Sequence, residues 1–337
     1  MSEPNDTASH VTALAERVEQ LQREVQIQSE QLTRAALASA IDTDDLDRLR
    51  TVADVWDPRA IEAHVRDVVT AAPVLTDPFP HLVIEPLLPA EAFRGLLDAV
   101  PPEEFFTGEI HRDLKGIGLP TTIVPLFSRV VWRSMRDLVS RVLAPLLVER
   151  FRPLAGDFLR LSVGEAFVDE TLSLPLYPSG LRLMLRRPGW KLDPHLDPRS
   201  RFINTLLYLA RPGEPDTYGT QLFRVHEENF VARQANTYYP EREGIRCELA
   251  KTMPYRGNLA LSFLNLGGGA HGAAFPEEPQ TAGLRRLVFQ FYMEPAKEEL
   301  DALIERLPPE HKVAWTTRVK KKDLRAMKRA SAAAAQS

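Results

Sequence analysis

Between residues 11 and 32, apolar side chains recur in alternating steps of three and four: Val11, Leu14, Val18, Leu21, Val25 and Leu32, with Gln28 the one polar member of the series. Charged and amide residues, among them Glu16, Arg17, Glu19, Gln22, Arg23 and Glu24, fill the other positions, and neither Gly nor Pro interrupts them. This pattern predicts a helix with a heptad seam. About three heptads is short for a free-standing coiled coil. The seam is therefore expected to join a homodimer or a partner helix, or else to pack on its own domain, with the first favoured. A second helical region is predicted through residues 44–49 and again, after Asp57-Pro58, through 60–69. Asp57 is suited to cap that second stretch, with Pro58 at the first helical position.

The pattern changes at residues 76–81, where Thr, Asp and Pro cluster. A strand is predicted at 81–85 and a helix at 89–97, which places a domain boundary near residue 74. Leu126, Val130, Val131, Met135, Leu138, Val139, Val142 and Leu146 have helical spacing, interrupted near Pro145, and would buttress a sheet from outside. Strand-like runs then recur at 158–163, 181–186, 202–209, 221–225, 258–264 and 286–293. Short strands separated by Gly and Pro turns predict a sandwich or jelly roll, a closure that protects sheet edges. The fold expected is mainly β with α additions. Residues 226–256 read as a polar insertion at the mouth of that core. The C-terminus turns basic from Arg318 and reads as a solvated helical tail.

Composition narrows the classes. At 337 residues and 44% hydrophobic content, the chain can bury a sizeable core, and its formal charge of −4 gives no general attraction to nucleic acid or to anionic membrane. No stretch approaches the roughly 18 consecutive apolar residues of a membrane span. Cys247 is the only cysteine, so an intramolecular disulfide and a cysteine metal cluster are both excluded. With a polar N-terminus lacking an apolar core segment, the expected location is cytoplasmic.

Three residues concentrate the chemistry. His195 and Asp197 lie in a turn-rich stretch, 188–198, between two strand-like runs; His271 follows another run through Gly267, Gly268 and Gly269. Two neutral imidazoles and one carboxylate on one face of Fe(II) leave three positions open, enough for a bidentate oxo acid and O2. Arg285 opens a run in which positions 285, 287, 289 and 291 share one face. An arginine at the head of a largely apolar face calls for an anion, and its planar fork matches a carboxylate. His10, His64, His81, His111, His226 and His311 have no comparable partners.

Residues 75–295 with this set resemble the Fe(II)/2-oxoglutarate-dependent dioxygenases, and within them the prolyl-4-hydroxylase-like branch. The resemblance implies a double-stranded β-helix (jelly roll) core buttressed by helices, and the heptad pattern places a coiled-coil segment before it. The implied division is 1–40 coiled-coil-like helix, 41–74 helical linker region, 75–296 dioxygenase domain and 297–337 helical and basic tail. It further implies His195, Asp197 and His271 as ligands of Fe(II), Arg285 as partner of the 2-oxoglutarate C5 carboxylate, and Tyr208 as a second donor to it. O2 is the other co-substrate, with ascorbate as an optional addition. Arg285 lies fourteen positions after His271, more than is usual in this branch, so Arg286 competes for the role. The hydroxyl that often follows the arginine is Leu287 here, which favours Tyr208 as the supplement. Because Asp197 is retained, the resemblance implies hydroxylation of an unactivated C–H rather than halogenation, with succinate as co-product. A prolyl residue, an amino acid, a glycan and a natural product all stand as substrates. Two other readings remain: a non-catalytic coiled-coil scaffold with a degenerate jelly roll, and a cupin-type metal enzyme that does not use 2-oxoglutarate.

Overall fold

The computed structural model describes residues 5–39, 43–106, 111–115, 124–227, 235–265 and 268–316. The helices are α1 (Asn5–Ser39), α2 (Thr43–Val55), α3 (Pro58–Ala71), α4 (Ala90–Asp98), α5 (Leu126–Leu138), α6 (Ala144–Val163), α7 (Val168–Ser173), α8 (Lys297–Arg306) and α9 (Pro309–Thr316). The strands are β1 (His81–Ile84), β2 (His111–Lys115), β3 (Leu176–Arg186), β4 (Trp190–His195), β5 (Ile203–Tyr208), β6 (Gln221–Val225), β7 (Cys247–Thr252), β8 (Ala260–Leu264), β9 (His271–Phe275) and β10 (Arg286–Pro295). They form a six-stranded sheet in the order β1-β8-β5-β10-β3-β2 and a four-stranded sheet in the order β4-β9-β6-β7. Every pairing between these strands is antiparallel.

The large sheet is buried on both faces, and each face has its own core. Leu287, Phe289, Phe291 and Met293 of β10, with Leu183, Leu185 and Leu207, pack against Val65 and Val69 of α3 and against apolar residues of α5 and α6. Leu206, Tyr208, Leu261, Phe263 and Val288 point the other way and pack with Leu222 of the small sheet. The two periodicities of one strand thus serve two layers, since successive side chains leave opposite faces of the sheet.

The heptad stretch is helical, and Leu14, Val18, Leu21, Val25 and Leu32 are all exposed on α1, so these five are not packed against the described residues. Asp57 caps α3 as its sequence predicts, accepting a hydrogen bond from the Arg59 backbone N–H, with Pro58 beginning the helix. Residues 158–163 correct a sequence expectation: they are the last turns of α6, not a strand. Ala155, Leu159, Ser162 and Val163 are buried at helical spacing while Leu161 is exposed, and the short run hid that period. The basic run from Arg318 lies outside the described residues. Among the described residues, no helix is long and apolar enough to cross a membrane.

Candidate active site

A cavity of about 90 Å³ opens between the two sheets, and His195, Asp197, His271, Arg286, Gln290 and Thr220 are among its walls. β4 and β9 bring the two histidines opposite one another. Leu192 pairs with Ala273 and His195 with His271, so three steps on β4 match two on β9. Asp193-Pro194 supplies that bulge, which suits a proline because the extra residue needs no ladder hydrogen bond. The bulge re-aims His195, and the imidazole centroids stand 4.3 Å apart. Close approach of the strands depends on Gly272, where a Cβ would come within 2.6 Å of the Leu192 carbonyl oxygen.

Both imidazoles are held in one tautomer. His195 Nδ1 lies 2.9 Å from the Asp193 carbonyl and His271 Nδ1 lies 3.0 Å from the Gly269 carbonyl. A carbonyl only accepts, so each Nδ1 carries the proton and each Nε2 presents a bare lone pair. Burial, with His195 adding to the effect, pushes the His271 imidazole down to about 4, so it is neutral at ordinary pH. Its Nε2 nevertheless faces Asp197 Oδ2 at 3.6 Å, lone pair against carboxylate. One candidate ligand atom from each of His195, Asp197 and His271 falls within 4.8 Å of the others. Two acceptors this close repel unless a cation lies between them. The donor set, two imidazole nitrogens and one carboxylate oxygen, fits a divalent transition metal and leaves coordination positions open.

The loop carrying Asp197 is fastened by Asn265. That side chain accepts from the Asp197 backbone N–H at 3.1 Å and donates to the carbonyls of Asp197, Pro198 and Arg201. Asp197 itself accepts from Asn204 Nδ2 at 2.8 Å and from Arg201 at 3.4 Å. Tyr239, in the expected insertion, places its ring 5.6 Å from that of His195, and the adjacent Tyr238 pairs its backbone with Leu196. The described part of the insertion therefore packs beside His195 and Leu196.

Of the two arginines that compete for the role, Arg286 lines the cavity, together with Arg182 and Arg186, and Arg285 does not. Arg286 is buried, donates to Thr220 Oγ1 at 3.2 Å, and keeps its Nε without a hydrogen-bond partner. An orphaned guanidinium N–H in a desolvated site fits a carboxylate ligand. Arg285 is half-buried and lines a neighbouring depression with Glu214, Pro215 and Thr217, to which Arg286 also contributes. The physical reason is parity: Leu287, Phe289 and Phe291 turn toward the helices, so the apolar face of β10 looks away from the cavity. Arg286, Val288, Gln290 and Tyr292 look into it. Tyr208 is fully buried next to this arginine, its ring 5.6 Å from the guanidinium carbon, and its hydroxyl accepts from the Thr220 backbone N–H at 3.0 Å. Thr220 thus places a hydroxyl beside Arg286.

Sequence reading missed Asn204, Asn265, Thr220, Gln290 and Tyr239. Asn204 and Gln290 carried a usable signal, since each is an amide within a largely apolar strand. Thr220 and Asn265 sit at strand ends and carried none.

No family model matches the chain, and no curated protein matches it. Among solved structures it is similar to HygX from Streptomyces hygroscopicus with nickel, 2-oxoglutarate and hygromycin B bound, at 15% identity over 64% of this chain and 83% of that one, with a TM-score of 0.37. A prolyl-4-hydroxylase from Pseudomonas putida is similar at 16% identity over 70% and 99% of the two chains, with a TM-score of 0.34. A prolyl hydroxylase from Trichoplax adhaerens, in complex with a hypoxia-inducible-factor peptide, is similar at 11% identity over 72% and 92%, with a TM-score of 0.38. At these scores the likenesses define neither the ligands nor the reaction of this chain.

Proposed function

We propose that the chain is an Fe(II)- and 2-oxoglutarate-dependent oxygenase that hydroxylates an unactivated C–H bond, built on a jelly-roll (double-stranded β-helix) domain over residues 75–296. His195, Asp197 and His271 hold the metal. Arg286 anchors the far carboxylate of the oxo acid, with Thr220 and Tyr208 behind it. The observation that carries this reading is the His271 Nε2 lone pair facing the Asp197 carboxylate at 3.6 Å in a buried site, in one cavity with an arginine whose Nε lacks a partner. When bound, the iron with 2-oxoglutarate and O2 supplies the oxidation, releasing succinate and CO2 as substrate gains a hydroxyl group.

The chain's own residues contribute placement and exclusion of water. The backbone carbonyls of Asp193 and Gly269 hold the Nδ1–H groups, so the Nε2 of each neutral imidazole is the atom turned toward the metal. Arg286 and the metal ligands grip opposite ends of a dicarboxylate, while Leu206, Val288 and Met184 line the space between with apolar surface. On this reading Tyr239, whose ring packs beside that of His195, and the segment around it shape substrate choice. The substrate class stays as broad as a peptidyl-prolyl group, an amino acid, a glycan or a natural product. The exposed seam of α1 fits a second copy or a partner helix.

The test is stoichiometric. Protein loaded with Fe(II) and supplied with 2-oxoglutarate and O2 should form succinate, even without a prime substrate, and His271→Ala should form none above background. Succinate at background in folded, iron-loaded wild type would turn the reading toward a scaffold or a cupin-type enzyme.

A further inference from the structure

A hydrogen-bonded chain of four side chains, half-buried at one end and buried at the other, runs from the cavity wall to the Asp197 carboxylate. Arg182 on β3 donates from Nε and Nη2 to Gln290 Oε1 at 2.9 and 2.6 Å. Gln290 Nε2 donates to Asn204 Oδ1 at 3.1 Å, and Asn204 Nδ2 donates to Asp197 Oδ2 at 2.8 Å. Arg182 lies directly opposite Gln290 across β3 and β10, and Asn204 lies diagonally across β10 and β5, opposite Tyr292. All three side chains sit on the cavity face of the large sheet. Gln290 and Asn204 are buried, at 5% and 0% exposure, so water does not compete for these bonds.

The direction of this chain is forced. A guanidinium only donates and a carboxylate only accepts, so with Arg182 at one end and Asp197 at the other, each amide between them has one permitted orientation. Gln290 must point its oxygen to Arg182, and Asn204 must point its NH2 to Asp197. Flipping either amide would set oxygen against oxygen or N–H against N–H. A chain of such bonds polarises along its length.

We infer that Arg182, Gln290 and Asn204 are positioning residues: a one-way hydrogen-bond relay that fixes the rotation of the Asp197 carboxylate and so sets how strongly the His195, Asp197 and His271 site binds its metal. The inference rests on the metal-site reading proposed above. It assigns a task to two amides that otherwise would be only polar bracing within an apolar sheet. Arg201, which reaches the other carboxylate oxygen at 3.4 Å and stacks its guanidinium 3.8 Å from the Tyr292 ring centre, completes the restraint.

Gln290→Glu separates a relay from a brace. The substitution conserves shape and keeps both bonds from Arg182, but it removes the N–H that Asn204 Oδ1 accepts. Asn204 then satisfies the new carboxylate by turning its NH2 away from Asp197 and presenting oxygen to oxygen. Co(II) titration of the full chain, read by ligand-field absorption, should give a Kd raised roughly 10- to 100-fold with a shifted band, as expected when an outer partner of a ligand is lost. Thermal melting without metal checks that the variant is folded. If Gln290→Glu fails to fold, Arg182→Met, altered at the half-buried end of the chain, should weaken Co(II) in the same direction. A brace predicts the opposite sign, because added negative charge near a cation tightens it: unchanged or tighter Co(II) binding in the folded variant overturns the relay. Absence of a Co(II) band in wild type, or a band that survives His271→Ala, overturns the metal reading and the relay with it.

Discussion

Replacing Arg286 with Met tests the assignment of the cavity most directly. The substitution removes the guanidinium and keeps most of the aliphatic stem, so the space between β10 and β5 stays filled. In the proposed complex the fork makes two charge-assisted hydrogen bonds to the distal carboxylate, each worth about 1.5–3 kcal/mol where water is excluded. Taking the lower value for both, the variant loses about 3 kcal/mol of binding, on the order of 100-fold in Kd for 2-oxoglutarate. Arg286→Lys keeps the charge and loses the fork, so an intermediate loss of roughly tenfold is expected. Arg285→Met should stay within about twofold, because Arg285 does not line the cavity that holds His195, Asp197 and His271. Anaerobic addition of 2-oxoglutarate to Fe(II)-loaded protein, followed by its metal-to-ligand charge-transfer absorption, reads these constants directly. Without ligand, Arg286 is a desolvated cation, and burial lowers its pKa. The Met variant should therefore melt no lower than wild type in the absence of metal and 2-oxoglutarate. A large loss in Arg285→Met with none in Arg286→Met would refute the cavity-side assignment and return the role to Arg285.

Three further outcomes follow from the geometry. Gly272→Ala puts a Cβ within 2.6 Å of the Leu192 carbonyl oxygen and 3.3 Å of the Asp193 carbonyl carbon, so β9 must move off β4; a destabilisation of about 1–3 kcal/mol by urea unfolding should accompany weaker Co(II) binding, and unchanged Co(II) binding would mean that the strand pairing does not set the ligand geometry. Asn265→Ala strips one acceptor and three donor contacts from the loop that carries Asp197, and should lower stability by about 2–4 kcal/mol with an unchanged denaturant slope; a loss under about 1 kcal/mol would show that this loop is held by something else. Burial lowers the His81 pKa in the folded chain below its ordinary value of 6.5. The unfolded chain then takes up a proton below about pH 6.5 that the folded chain refuses, so the stability of the metal-free protein should fall as pH drops, by at most about 1.4 kcal/mol per unit from this group. His81→Phe should flatten that part of the urea-midpoint profile relative to wild type, and an identical profile would remove His81 as a cause.

Much of this architecture was legible because most elements bury one face only. Amphipathic spacing and the Asp57-Pro58 cap marked α3, and the exposed seam of α1 keeps its heptad pattern along the chain. β4 and β9 were not legible as strands. Their ladder is broken by Asp193-Pro194, and β9 begins at His271 immediately after the glycine turn, so local chemistry reads as loop until the partner strand is in place. Long-range pairing overrides local preference there.

The competition between Arg285 and Arg286 in the amino-acid sequence has a more general cause. In a sheet covered on one side only, the apolar stripe points to the core and the polar stripe to water, so either stripe locates the other. Both faces of β10 are buried, and its stripe of Leu287, Phe289 and Phe291 identifies the helix-covered layer, not the chemical one. The informative residues are those whose burial costs most. Arg286 and Gln290 on β10, Asn204 on β5 and Arg182 on β3 share the other parity, and a buried amide or guanidinium persists in a sheet only where partners or a ligand satisfy it. Applied to the amino-acid sequence alone, that rule places the cavity on the side of Arg286 and Gln290. It also marks Asn204, six positions after His195-Leu196-Asp197-Pro198, as the polar residue of the next strand that lies closest in sequence to a metal ligand.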